Sequence, residues 1–112
     1  MTVTTEATAG PFWAGEIPEP TDLTVADSDG VIRDCIGATS VTFKYSVDNG
    51  TTQTGTAAPQ DLPNGVFRIT WSAAAIATPG VLRGVCYFTL NGARLVAGVV
   101  HANIKAPPVP IT

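Results

Sequence analysis

The spacing of apolar positions gives the first reading of this chain. In Val41-Thr-Phe-Lys-Tyr-Ser-Val47 the odd positions are apolar and the even ones polar. In Val66-Phe-Arg-Ile-Thr-Trp71, Phe67, Ile69 and Trp71 share one parity, against Arg68 and Thr70. A period of two marks a strand with one face buried and one in water. Phe43, Phe67, Ile69 and Trp71 are therefore the expected core residues. From Val81 to Ile104, two apolar runs flank Asn91-Gly92, a dipeptide whose tolerance of positive φ suits a two-residue hairpin. Within the second run, Leu95-Val-Ala-Gly-Val-Val100 is apolar on both parities. That predicts a strand central to a packed structure, or one covered by another chain.

Turn signals separate these segments: Asp27-Ser-Asp-Gly30, Asp48-Asn-Gly50, Pro63-Asn-Gly65 and Thr78-Pro-Gly80. Gly and Asn accept left-handed backbone, and Pro pre-sets the first central residue of a turn. Helical periodicity is nearly absent. In Ser72-Ala-Ala-Ala-Ile-Ala77, Ser72 is placed to cap a single turn that Pro79-Gly80 stops, a short crossover between strands. About seven short strands with turns throughout predict an all-β chain, a single immunoglobulin-like antiparallel β-sandwich over residues 21–105.

The two ends break the pattern. Residues 1–20 carry Gly10-Pro-Phe-Trp-Ala-Gly15 and Ile17-Pro-Glu-Pro20, and residues 106–112 read Ala-Pro-Pro-Val-Pro-Ile-Thr. Proline lacks a donor and favours extended backbone, so neither end fits a central strand. They are expected as an extended N-terminal arm and a Pro-rich C-terminal tail. A solvent-facing tail has no use for Phe12, Trp13 and Ile17 together, so the arm is expected to pack on its own domain or on a neighbour. Partner contact is expected at Phe12, Trp13 and Ile17, and at Pro107, Pro108 and Val109.

Composition adds a constraint on the surface. The 112 residues suit one domain. They are 45% hydrophobic but only 13% charged, well below the usual quarter. A surface so poor in charge is expected to be covered in part by a partner. The net charge is −3 and the six bases are isolated from one another, which argues against nucleic acid as that partner. The N-terminus lacks a basic, then apolar, leader pattern. No apolar run approaches the roughly 20 residues that cross a bilayer. The expectation is a cytosolic product with no membrane partner, whose thiols stay reduced. Cys35 and Cys86 are spaced like an immunoglobulin inter-sheet pair. The Trp that should follow the first Cys closely is missing, however, since Trp71 stands far beyond it. Two buried, small hydrophobic side chains is the reading favoured, with a disulfide left open.

Motifs for chemistry are lacking. His101 is the one histidine, and nothing in the sequence sets it beside a nucleophile. Asp27-Ser-Asp-Gly30 has half of a calcium loop without the later acidic ligands, and reads better as a turn. Trp71 has the parity of a core anchor rather than of a ligand-stacking ring. No catalytic residue, metal or cofactor is expected, and the chain reads as a non-enzyme.

Several stretches resemble a known family. Trp13-Ala-Gly-Glu16, Leu23-Thr-Val-Ala-Asp-Ser-Asp-Gly30 and Ile36-Gly-Ala-Thr-Ser-Val41 look like the opening of a recurring phage-encoded module. Asn64-Gly-Val-Phe-Arg-Ile-Thr-Trp-Ser72, Ala77-Thr-Pro-Gly80, Leu82-Arg-Gly84 and the final hairpin are similar to the N-terminal domain of phage baseplate upper proteins. The resemblance spans roughly residues 13–104 and rests on turn and core positions, which speak to fold more than to function. It implies an immunoglobulin-like sandwich without catalysis that holds virion parts together.

These expectations converge on a structural protein of a tailed-phage virion, assembled in the host bacterial cytoplasm and present in many symmetric copies. The leading form is a capsid decoration or minor capsid protein that binds the major capsid protein and reinforces the particle surface. The alternative is a tail or baseplate adaptor. A module binding carbohydrate or a host surface ranks third, since only Phe12, Trp13 and Tyr87 offer rings for it.

Overall fold

The computed structural model describes residues 2–3, 5–27 and 30–109. Its elements are β1 (Thr2–Val3), β2 (Thr5–Trp13), β3 (Thr21–Thr24), β4 (Ala26–Asp27), β5 (Thr39–Val47), β6 (Gln53–Asp61), a 3-10 turn (Leu62–Asn64), β7 (Val66–Thr70), β8 (Gly80–Leu90) and β9 (Ala93–Lys105). Seven strands form one mixed sheet in the order β2-β9-β8-β5-β6-β7-β3, and β1 pairs with β4 in a small separate ladder.

The sheet is rolled almost into a barrel. Strand β6 starts it: Gln53 to Gly55 pair with β5, whereas Thr56 to Asp61 pair with β7. The ring of Phe67 on β7 stacks on Phe88 of β8 at 4.5 Å between centroids. In a flat sheet those strands would stand three spacings apart, roughly 14 Å. Phe12 on β2 meets Trp71, just past β7, edge-on at 5.4 Å, and β2 comes back into contact with β3. The apolar parities of β5, β7, β8 and β9 all face the enclosed space. Phe43, Phe67, Ile69, Trp71, Leu82, Cys86, Phe88 and Val100 are buried there.

Two sequence choices let the roll close. Phe43 lies across the strands flanking β5, over Gly55 of β6 and Gly84 of β8. A Cβ would stand 2.6 Å from a ring carbon at Gly55 and 2.5 Å at Gly84. In β9 the register slips between Cys86↔Gly98 and Tyr87↔Val96, leaving Ala97 as a bulged extra residue. Both Ala97 and Gly98 are then buried, while Val96 and Val99 stay half-exposed on the outside. This bulge accounts for the run 95–100 being apolar on both parities. Strand β9 is also interior to the sheet, between β8 and β2. At Asn91-Gly92 both residues have positive φ, 52° and 79°, as the two-residue hairpin requires.

Two expectations are corrected. The sheet is not wholly antiparallel, because β2 runs parallel to β9, from Thr5↔Gly98 to Trp13↔Lys105. Residues 5–13 are not an arm but a strand of the same sheet. Pro11 is tolerated because β2 lies at the edge of the sheet order, and the register shifts between Ala9 and Phe12, where Gly10-Pro11 stands. Residues 106–109 form no strand. Residues 110–112 and the Ser28-Asp29 centre of the first turn signal lie outside the described residues.

The roll has two ends. The near end gathers the end of β2, the start of β8, the end of β9 and the loop 71–79. There Ser72 Oγ accepts from the Ala75 N–H at 3.2 Å in a turn that does not become a helix. The far end gathers the loop 30–38, the 3-10 turn and the Asn91-Gly92 hairpin, and it is tied together by Cys35 N–H donating to Leu62 O at 2.8 Å.

On the outside of β3 and β7, in register, Arg68 Nε donates to Asp22 Oδ1 at 2.8 Å and Nη2 to Oδ2 at 3.1 Å. The hydrogen bond, more than the charge alone, holds the Asp22 carboxyl below its usual range, with partial desolvation opposing it. The folded value lies below the unfolded one. The pair therefore stabilises the fold above the unfolded value and loses that contribution as pH falls through the folded one. On acidification below about pH 4, melting curves of the wild type should fall slightly further than those of Asp22→Asn; equal slopes would show the pair to be inert.

The placement of β2 gives a sharper test. Phe12→Ala, which opens a cavity against Trp71, should cost about 3–5 kcal/mol in urea unfolding. The neighbouring Trp13→Ala should stay within about 0.5 kcal/mol. Similar small costs for both would return residues 5–13 to the status of an arm.

Candidate functional site

The reactive side chains are dispersed. His101 is exposed on the outside of β9, in register with Arg83 on β8 and Thr8 on β2. Cys86 faces the core from β8, and burial pushes its thiol up to about 11. Cys35 is buried at the far end, where burial raises its thiol against the smaller opposing pull of Arg33. Its Sγ lies 3.6 Å from Arg33 O. Both thiols are free. Among the described residues, no group of three or more acidic, His or Cys side chains could hold a metal ion.

Exposed apolar side chains are grouped instead. At the near end Trp13 is 46% exposed, and Ile17 and Val109 are both above 70%. Trp13 is fixed rather than trailing. Its N–H donates to Glu16 Oε1 at 2.6 Å, and Glu16 N–H returns to Trp13 O at 3.1 Å. Ala14 N–H donates to Lys105 O and Gly15 N–H to Ile76 O, pinning the turn to β9 and to the loop 71–79. Successive residues of a strand point to opposite faces, so this anchoring directs Phe12 inward and Trp13 outward. Phe12, expected as a partner contact, is a core residue instead, 7% exposed against Trp71. Pro107 is half-buried and Pro108 exposed, beyond the end of β9.

Beside this end, an open cleft of about 650 Å³ runs between the turn 47–53 and the loop 71–79, lined by Tyr45, Val47, Gln53, Ala75 and Thr78. Its one charged lining residue is Asp48, whose Oδ1 accepts from the Val81 N–H at 2.8 Å. That carboxylate is employed in holding the β5–β6 turn to β8.

Sequence reasoning missed two further groups. At the far end Val31, Ile32 and Ile36 are each more than half exposed. Their signal was present: Val31-Ile32 follows a turn directly and joins no alternating run. On the outside of the sheet, Val85 and Tyr87 of β8 and Val96 and Val99 of β9 are half-exposed neighbours in register. Their parity was legible but not the bulge that brings both valines to the outside. No protein-family model matches the chain, and no curated protein matches it either.

The buried thiols set an expectation for chemical modification. Maleimide at pH 8 should leave Cys35 and Cys86 unmodified in the native protein and modify both once denaturant is added. Because the folded thiol pKa is raised, the stability that it reflects is complete below the ordinary thiol range. It is lost as pH climbs toward the folded value. Fast labelling of either thiol in the native state would contradict the burial described.

Proposed function

We propose that the chain is a non-enzymatic structural protein of a tailed-phage virion, a capsid decoration or minor capsid protein that binds and reinforces the particle surface. One observation carries this reading: Trp13, Ile17 and Val109 stand exposed at one end of a nearly closed β body, with the backbone of Trp13 pinned by hydrogen bonds to Glu16. Rigid aromatic and aliphatic anchors bind at low entropic cost, and burying them contributes roughly 25 cal/mol per Å². Repetition around a symmetric shell adds avidity without new contacts. The sequence resemblance to phage baseplate upper proteins is in keeping with a role in virion architecture, and by its family favours the alternative of a tail or baseplate adaptor.

An immunoglobulin-like sandwich belongs to the same proposal. It is supported by the way β6 changes partners midway, so that β2-β9-β8-β5 and β7-β3 face one another across the core. The parallel β2–β9 edge fits as a first strand that has crossed to the opposite layer.

The test uses the full chain with Trp13→Ser and Ile17→Ser, in particles of the phage that encodes it. Quantitative mass spectrometry of purified virions should find the wild type in hundreds of copies. The double variant should be at least tenfold depleted at an unchanged urea midpoint. A ring of about six or twelve copies would favour the tail reading. Absence of the wild type from particles, or full occupancy by the variant, would overturn the proposed docking.

A further inference from the structure

Charge is sorted over this molecule in a way that the totals hide. The chain carries a net charge of −3, yet four of its six Lys and Arg residues, Lys44, Arg83, Arg94 and Lys105, lie on β5, β8 and β9. These strands contain no Asp or Glu. Alternation sends Lys44, Arg83 and Lys105 outward, since their neighbours Phe43, Leu82 and Ile104 are buried, and Arg94 is itself exposed. Register then builds the face row by row. Ser46, Arg83 and His101 form one row, Lys44, Val85 and Val99 the next, and Thr42, Tyr87 and Val96 the third, with Arg94 beyond. The Arg94 guanidinium lies 5.7 Å from the centroid of the Tyr87 ring. The outcome is a half-exposed apolar strip bordered by the cations Lys44, Arg83 and Arg94, the layout of a protein interface with an apolar centre and a charged rim. The acidic exceptions are the Asp48 carboxylate at the start of β8 and the Glu6 position of β2, in register with Val99.

The far end has the opposite character. Val31, Ile32 and Ile36 project there, with the exposed carboxylates of Asp34 and Asp61 beside them. Asp34 Oδ1 accepts from the Ile36 N–H at 2.9 Å, and Asp61 Oδ2 from Asn64 Nδ2 at 2.9 Å. The Cys35–Leu62 hydrogen bond holds the two acidic segments side by side. Arg33, in the same loop, is half-buried. The tip is thus apolar with acidic flanks, and the sheet face is apolar with basic flanks.

We propose that the far tip of one copy docks on the outer β5–β8–β9 face of a second copy. One patch is an end and the other a broad side of the roll, so the contact is not reciprocal. Once two copies have joined, one still has a free tip and the other a free face, so association continues into a ring or an open chain rather than stopping at a two-fold dimer. The near end, with Trp13 and Ile17, takes no part. This inference therefore stands apart from any docking on a virion.

Sedimentation velocity of the full chain tests it, using wild type, a tip variant (Val31→Ser with Ile36→Ser) and a face variant (Arg83→Glu with Arg94→Glu). All four positions are exposed, and urea unfolding checks that each variant is folded. The wild type should grow past dimer as concentration rises, with apparent affinity at least tenfold weaker in high salt, because exposed charges are screened. Each variant alone should be monomeric. Mixed, they should form a one-to-one dimer and stop, since only the tip of the face variant and the face of the tip variant remain. A monomeric wild type, a variant that still dimerises alone, or a mixture that stays monomeric would overturn the proposal.

Discussion

Trp71 is the contact on which the rolled sheet depends. Phe12 meets it edge-on at 5.4 Å and Phe43 at 5.6 Å, so one indole joins the first strand of the sheet, the strand at its centre and the end of β7. Its Nε1–H donates to Thr21 Oγ1 at 2.9 Å, bringing in the start of β3. Each aromatic pair is worth about 0.5–1.5 kcal/mol beyond the area it buries, and the hydrogen bond spares the indole the cost of a buried unpaired donor. With both edges of the sheet drawn to one side chain, the sheet curls. The interior then fills with Phe43, Phe67 and Phe88, and the chain ends are carried to fixed places.

The parts of this fold legible in the sequence are those where local pattern and tertiary demand agree. Alternation in 41–47 and 66–71 picked out β5 and β7 and the inward set Phe43, Phe67, Ile69 and Trp71, which are buried. Asn91-Gly92 marked the β8–β9 hairpin because its conformation is set by the dipeptide itself. Strand β6 gave no such signal. Its sequence, Gln-Thr-Gly-Thr-Ala-Ala-Pro-Gln-Asp, is largely exposed and is a strand because β5 and β7 pair with it at its two halves. Strand β2 was hidden for a related reason. Its partner lies near the opposite end of the sequence, the pairing is parallel, and Gly10-Pro11 interrupts any alternation. No local rule reports on a contact whose two sides are so far apart in the chain.

The candidate surfaces divide similarly. Trp13, Ile17 and Val109 could be singled out because large apolar residues between prolines have no local use. Phe12 was placed with them on the same grounds, but strand alternation turns it the other way. Val31, Ile32 and Ile36 escaped notice because they follow a turn. The basic face escaped because its cations lie singly along the chain and are assembled only by the register of three strands. Of the reactive side chains described, the thiols are enclosed, Asp48 fastens a turn, and His101 stands in the open beside Arg83. What the molecule presents to its surroundings is a rolled sheet with exposed apolar groups at both ends and half-exposed ones along one side.

Closure of the sheet by its own N-terminal strand is the claim from which the rest is built, and native-state hydrogen exchange reads it directly. The β2 amides that donate to β9, and those of the β9 stretch they pair with, 98–105, should exchange only through global unfolding, with the same free energy as the β8–β9 hairpin. Exchange of those β2 amides at the rate of a frayed terminus, with the remainder of the sheet still protected, would contradict it.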